Sequence, residues 1–200
     1  MTDLFADQAT DWDARPVPQR ISEGVGTALL ARVPLSPGQI VLDFGAGTGL
    51  LTSHVAPRVG HVLAVDVSPA MLAQLAAKPE LAAHVTPVCQ DLLETPLEAR
   101  VDLIISAMAM HHVADTARLL RALHDHLKPG GGVALADLDL ETGDFHPPGI
   151  EGVFHHGFDR AALAEQLRDA GFDGVVIETA CHIAKDGKSY GIFLATAKRP

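Results

Sequence analysis

A chain of 200 residues that is 48% apolar, with a mean hydropathy of +0.19, reads as one globular domain rather than a disordered or fibrous chain. Its 15 basic and 25 acidic residues leave a formal charge of −10, and no Lys/Arg cluster makes a basic footprint, which disfavours nucleic acid and anionic membranes as partners. No apolar run reaches the roughly 18–20 residues of a spanning helix, and the acidic opening MTDLFADQATDWD resembles neither a secretory signal nor a transit peptide.

The two cysteines, Cys89 and Cys181, lie inside apolar stretches and form no framework, so they are expected to be reduced core residues of a cytoplasmic protein. Residues 1–17 show no periodic pattern but hold Phe5, Trp12 and Pro16. From Gln19 to Val33, apolar residues recur about once per turn (Ile21, Val25, Leu29, Leu30, Val33) and predict a helix stopped by Pro34 and Pro37-Gly38.

Ile40–Phe44 is the first predicted strand, and it runs directly into Gly45, Gly47 and Gly49 and a helix over Leu50–Val59. His61–Val65 is the second strand and ends at Asp66; Ser68-Pro69 then supplies an N-cap and a first-turn proline for a helix to about Lys78. Val85–Cys89 is the third strand, ending before Asp91, and Val101–Ala107 the fourth. Asp115 or Thr116 caps a helix with Leu119, Leu120, Leu123 and Leu127 on one side, ended by Lys128-Pro129-Gly130-Gly131 before a fifth strand at Val133–Leu138.

Five apolar strands separated by helical or helix-length stretches imply a parallel sheet covered on both faces. The alternation then lapses over 140–158, an irregular stretch long enough to be a lid. Asp159 caps a further helix closed by Gly171, and Asp186-Gly187 between Val175–Lys185 and Ser189–Lys198 signals a terminal hairpin. The expected organisation is a single domain: a cap segment and helix (1–38), a core (39–139), the lid (140–158) and a final helix and hairpin (159–200).

In an open α/β sheet, ligands bind outside the carboxyl ends of the strands. The glycine loop there offers close backbone approach and free N–H groups at a helix start. Asp66 follows Gly47 by nineteen positions, where an acid can accept from vicinal ribose hydroxyls, and Asp91 could accept from an adenine amino group. The third glycine falls one position too early for a dinucleotide GxGxxG, and Asp43 precedes the first. An acid there suits a cation better than a pyrophosphate, which favours S-adenosylmethionine over NAD.

With these motifs placed, the chain resembles the class I S-adenosylmethionine-dependent methyltransferases over nearly its whole length. The resemblance rests on DFGAGTG at 43–49, VDVSPAML at 65–72, QDLLE at 90–94, MHHV at 110–113, LKPGG at 127–131, the final hairpin and ATDWD at 9–13. It implies a three-layer Rossmann-like α/β fold with a mostly parallel seven-stranded sheet ending in an antiparallel hairpin. It also implies Gly45, Ala46 and Gly47 along the methionine moiety, Asp43 near its ammonium, and Asp66 on the ribose. Val67 and Met71 would pack against adenine, Asp91 would meet its amino group beside the Leu92 backbone, and Trp12 would close over the cofactor.

The reaction so implied is methyl transfer from S-adenosylmethionine, leaving S-adenosylhomocysteine, to a small-molecule acceptor, chiefly by orientation. His111, His112 and His155 (with His156) are the candidates for a general base, since histidine titrates near neutrality. No metal site is expected, because the histidines lack metal-ligand spacing. A non-catalytic S-adenosylmethionine-binding scaffold and a nicotinamide oxidoreductase are the rival readings.

Overall fold

A computed structural model describes residues 3–147 and 149–200. Strands β1 (Ile40–Phe44), β2 (His61–Asp66), β3 (Val85–Cys89), β4 (Val101–Ala107) and β5 (Leu127–Leu138) run parallel, and β6 (Asp173–Lys185) and β7 (Lys188–Lys198) complete a seven-stranded sheet. The order is β3-β2-β1-β4-β5-β7-β6, with β7 antiparallel to both its neighbours. The helices are α1 (Pro16–Arg32), α2 (Leu50–Val55), α3 (Pro69–Ala76), α4 (Thr116–His126) and α5 (Arg160–Asp169).

Strand side chains alternate between the two faces, and both faces are apolar. Val41, Val62, Ala64 and Ile105 join Leu29, Leu51, Val55 and Leu75 of α1–α3 in one core layer. Leu42, Ile104, Val133 and Leu135 join Leu120, Leu123 and Leu167 of α4 and α5 in the other. That double burial explains why the strands read as continuous apolar runs.

The helix starts follow local chemistry. Ser68, Asp115 and Asp159 accept from the backbone N–H of Met71, Arg118 and Ala162 respectively. Gly171, at φ +98°, closes α5. Asp186 and Gly187 both have positive φ, +51° and +76°, as a two-residue turn matching the twist of its strands demands.

Several boundaries differ from expectation. Helix α2 ends at Val55 and tightens into a 3-10 turn at Ala56–Arg58, where Pro57 withholds an amide N–H. No helix forms between β3 and β4; residues 90–100 make only turns. The LKPGG segment belongs to β5: Leu127 pairs with Val101, and the ladder resumes at Gly132 opposite Leu103, so the residues between form an irregularity.

Ala6–Ala14, without an apolar period, forms a 3-10 helix. Neither cysteine is a core residue. Cys89 is exposed and Cys181 half-buried, because each sits on an outermost strand, β3 and β6, with a neighbour on one side only.

Candidate active site

Strands β3, β2, β1 and β4 are adjacent, so their carboxyl ends deliver one continuous rim. The order reverses between β1 and β4, where such sheets open a crevice. Asp43, the glycine loop, Asp66 and Asp91 all lie on this rim, as their strand-end positions require.

The loop after β1 is bound to the end of β2. Gly45 and Ala46 donate N–H bonds of 2.9 and 3.1 Å to the Val65 carbonyl, and Gly47 donates one of 2.7 Å to Asp66 Oδ2. Asp66 Oδ1 accepts from Ser68 N at 2.8 Å, so one carboxylate ties the loop to the start of α3. Burial raises the Asp66 pKa above the ordinary value, opposed by these same backbone bonds.

Gly45, Gly47 and Gly49 have φ of +68°, +55° and +83°. An added Cβ at Gly45 would stand 2.3 Å from Ala109 Cβ, whereas at Gly47 it would meet nothing within 4 Å. The loop is therefore packed tight against the segment after β4 at one glycine and open at the other. That opening is a cradle.

Asp43 is sealed beneath it, with 1% exposure. Thr52 Oγ1 donates to its Oδ2 at 2.5 Å, while Oδ1 is buried without a partner. Burial pushes its pKa up to about 7, with Thr52 opposing and Asp66 adding to the rise. A buried acceptor facing no donor fits a cationic ligand group at this loop.

At the end of β3, Asp91 Oδ1 accepts from Leu93 N at 2.9 Å and so holds its own turn, while Leu92 is buried in the α4 layer. Met71 is buried under the rim and Val67 is 50% exposed above it. Trp12 packs edge-on to Phe5 with ring centroids 6.2 Å apart, under the Arg15 guanidinium. Asp13, which sequence reasoning passed over, anchors this segment by accepting from Thr48 Oγ1 in the loop and pairing with Lys78 Nζ at 2.6 Å. Asp3 accepts from Ser68 Oγ at 2.9 Å. The N-terminal segment thus crosses the rim from α3 to the loop.

The histidines separate by position. His111, in the 3-10 turn Met110–His112 after β4, is 1% exposed and its Nδ1 lies 2.7 Å from Asp137 Oδ1. Its Nε2 lies 3.2 Å from Nε2 of His146, in the irregular stretch. His112 Nδ1 bonds the Gly152 carbonyl at 2.6 Å, and Phe5 lies edge-on to its ring. Burial, reinforced by the neighbouring histidines, lowers His112 and His146 to about 4.

His155 bonds Thr116 Oγ1 and the Val113 carbonyl, which anchors its segment to the start of α4. His156 faces Glu141 at 3.7 Å. Sequence reasoning missed Asp137 and His146. Asp137 had a signal, an acid inside the apolar run of β5; His146 had none. Among the described residues, no group of three or more His, Cys, Asp or Glu side chains is placed to hold a metal, and no helix is long and apolar enough to cross a membrane.

Residues 41–131 match the sequence model of a family described as a methyltransferase domain. An uncharacterized methyltransferase of Schizosaccharomyces pombe is 32% identical over 136 residues, covering 60% of this chain and 48% of that protein. The chain spans about half the length of the curated relatives it matches first, between 48% and 60%.

Among solved structures, the protein bound to the Haloferax volcanii Trm112 methyltransferase activator superposes with a TM-score of 0.80 at 22% identity, over 100% of this chain and 99% of that one. The N-methyltransferase NodS of Bradyrhizobium japonicum, solved with S-adenosyl-L-homocysteine, gives 0.73 at 17% identity over 99% and 95%. An open glycine turn at the switch point of a parallel sheet closed by a reversed hairpin gives the chain the layout of a Rossmann-like α/β domain. More narrowly, residues 41–131 match a methyltransferase-domain model, and the chain shares its fold with solved structures that include the N-methyltransferase NodS.

Proposed function

We propose that the chain transfers a methyl group from S-adenosylmethionine to a small-molecule acceptor. The observation that carries this reading is the Asp66–Gly47 bond, which holds an open glycine cradle and a carboxylate side by side at the switch point. Gly45, Ala46 and Gly47 would line the methionine moiety, and the unpartnered Oδ1 of Asp43 would balance its ammonium. Each Asp66 oxygen already accepts one backbone bond and has capacity for a second, from a ribose hydroxyl. Val67 and Met71 would flank adenine, with Asp91 Oδ2 and the Leu92 backbone at its edge and Trp12 over the mouth.

When bound, the cofactor supplies a methyl already activated by positive sulfur. The protein's share is to hold the acceptor in line and exclude water, and orientation alone can lower a barrier by roughly 7 kcal/mol or more. Closure is the task of the N-terminal segment and of residues 140–158, which we read as a lid. It is tied to the hairpin by Asp144 and Tyr190 (2.9 Å), and to the turn after β4 by Phe154 N on the His111 carbonyl (3.0 Å). A small acceptor suits a chain without a basic footprint.

Calorimetric titration with S-adenosylhomocysteine, with NADH in parallel, tests the reading. Micromolar binding of the first alone is expected; binding of neither would return the domain to a scaffold role.

A further inference from the structure

The pair formed by Asp137 and His111 is buried to a degree that packing alone does not require. Asp137 is fully buried at the end of β5 and accepts three N–H bonds: from Leu138 N at 2.8 Å, His111 N at 3.2 Å and His111 Nδ1 at 2.7 Å. A buried carboxylate–imidazole pair carries a desolvation penalty that apolar side chains of like volume would avoid, so its presence calls for a use. An ionised carboxylate only accepts, so the pair fixes the His111 proton on Nδ1 and leaves Nε2 as a lone-pair nitrogen.

His111 itself lies in the turn after β4, at the rim. Ala109, two residues earlier, is the atom against which Gly45 of the cradle is packed, so His111 stands beside the cofactor loop. At 3.2 Å from Nε2 lies His146 Nε2, which must be the donor. His146 comes from the stretch 140–158, whose other half hangs on the His111 carbonyl through Phe154 N and His155 N, at 3.0 and 3.3 Å. The same irregular segment therefore brackets His111 and covers its free nitrogen.

We propose that His111 is the general base for methylation of a hydroxyl, that Asp137 is its positioning residue, and that His146 occupies the place of the acceptor hydroxyl until one binds. The inference rests on the methyltransferase reading and deepens it. The acceptor oxygen bonds to the methyl carbon as the carbon–sulfur bond breaks with its pair left on sulfur. The hydroxyl proton passes to His111 Nε2, and Asp137 balances the imidazolium until water removes the proton. A carboxylate or thioether acceptor would need no such base.

A hydroxyl also fits the surroundings better than a charged acceptor. Phe145 packs edge-on to His146 at 5.0 Å and Phe5 to His112 at 5.3 Å. Burial holds both His112 and His146 well below the usual imidazole range, so neither offers an anion a positive partner, and Asp137, fully buried and already accepting three N–H bonds, is closed to a cation. The titratable groups facing His111 are Asp137 from β5, His112 on its own turn and His146 from the lid, with Lys185 of β6 behind His146.

The test is nitrogen NMR of the imidazole rings in the full chain. His111 should show the Nδ1–H form with Nε2 accepting a hydrogen bond; His146→Ala should shift the Nε2 signal alone, and Asp137→Asn should scramble the form. An Nε2–H form in the wild type overturns the proposal without any variant. With S-adenosylhomocysteine present, phenol should shift His111 Nε2, and severalfold more tightly in His146→Ala, whereas benzoate and benzylamine should not. A response to benzoate or benzylamine equal to phenol, or to none of the three at millimolar concentration, overturns it. Failure of S-adenosylhomocysteine itself to bind strikes the methyltransferase reading instead, and leaves the His111 form measurable.

Discussion

Gly47 and Asp66, nineteen residues apart in the chain, meet in a 2.7 Å hydrogen bond from the Gly47 main-chain N–H to Asp66 Oδ2. The carboxylate that we assign to the ribose therefore also shapes the loop that would hold the rest of the cofactor. Asp66→Ala should weaken S-adenosylhomocysteine binding by about 1.5–3 kcal/mol, the scale of hydrogen bonds to a charged group. Calorimetric titration of the folded variant reads this directly. Unchanged affinity would refute the ribose assignment.

Gly45 and Gly47 should fail differently when replaced by alanine. Both need positive φ, which costs an L-residue roughly 1–2 kcal/mol. At Gly45 the added methyl also collides with Ala109, so Gly45→Ala should lose about 1–3 kcal/mol more stability than Gly47→Ala. Gly47→Ala should stay the better folded of the two and still bind S-adenosylhomocysteine poorly. Thermal melts beside titrations separate the effects, and equal melting points would sink the packing argument.

Asp43 makes stability depend on pH in a defined direction. Its folded pKa of about 7 lies above its ordinary 3.8, so its contribution is fully present below about pH 3.8 and is lost as pH rises through 7. Asp43→Asn removes that slope. The stability of the variant relative to wild type should therefore climb by on the order of 3–4 kcal/mol between pH 4 and 8. Urea unfolding at several pH values would show it, and a flat difference would mean that Asp43 is already ionised in the fold.

The same residue predicts a proton count. If the cofactor ammonium approaches Asp43, binding below pH 7 should release protons as the carboxyl ionises. Titrating S-adenosylhomocysteine at pH 6 in buffers of different ionisation enthalpy should reveal release in wild type and less in Asp43→Asn. Identical heats across buffers would place the ammonium elsewhere.

Asp144 fastens the first half of the 140–158 stretch to the hairpin through Lys188 and Tyr190. Asp144→Ala should speed limited proteolysis within that stretch severalfold while the rest of the chain resists. Unaltered cleavage would show that the stretch is held by something other than these contacts.

The sheet was legible in the sequence because its inner strands are buried on both faces, and β1, β2 and β5 stop at a glycine or an acid. The rim was legible for the same reason, since Asp43, Asp66 and Asp91 are simply the residues where apolar runs end. What stayed hidden depends on long-range placement. His146 reaches His111 across 35 residues from a stretch without period, and nothing local aims it. Asp137 hid inside an apolar run, where an acid looks like an interruption. His111 and His155 looked equivalent as members of two His-His pairs, yet one meets a buried carboxylate and the other a threonine and a carbonyl. Cys89 and Cys181 looked buried because their strands are apolar, but strand composition does not say which strand ends up outermost.

The order of the last two strands carries a consequence for biosynthesis. β7 lies between β5 and β6, although β6 precedes it in the chain. Until Lys188–Lys198 is in place, β5 shows a bare edge and β6 lacks its strand partner. The nascent chain must pass through an interval with one half of its sheet open, and both strands close together only when the hairpin folds as a unit. Chaperone capture, if it occurs, should concentrate in that interval, and slowing translation there should raise misfolding more than slowing it anywhere earlier.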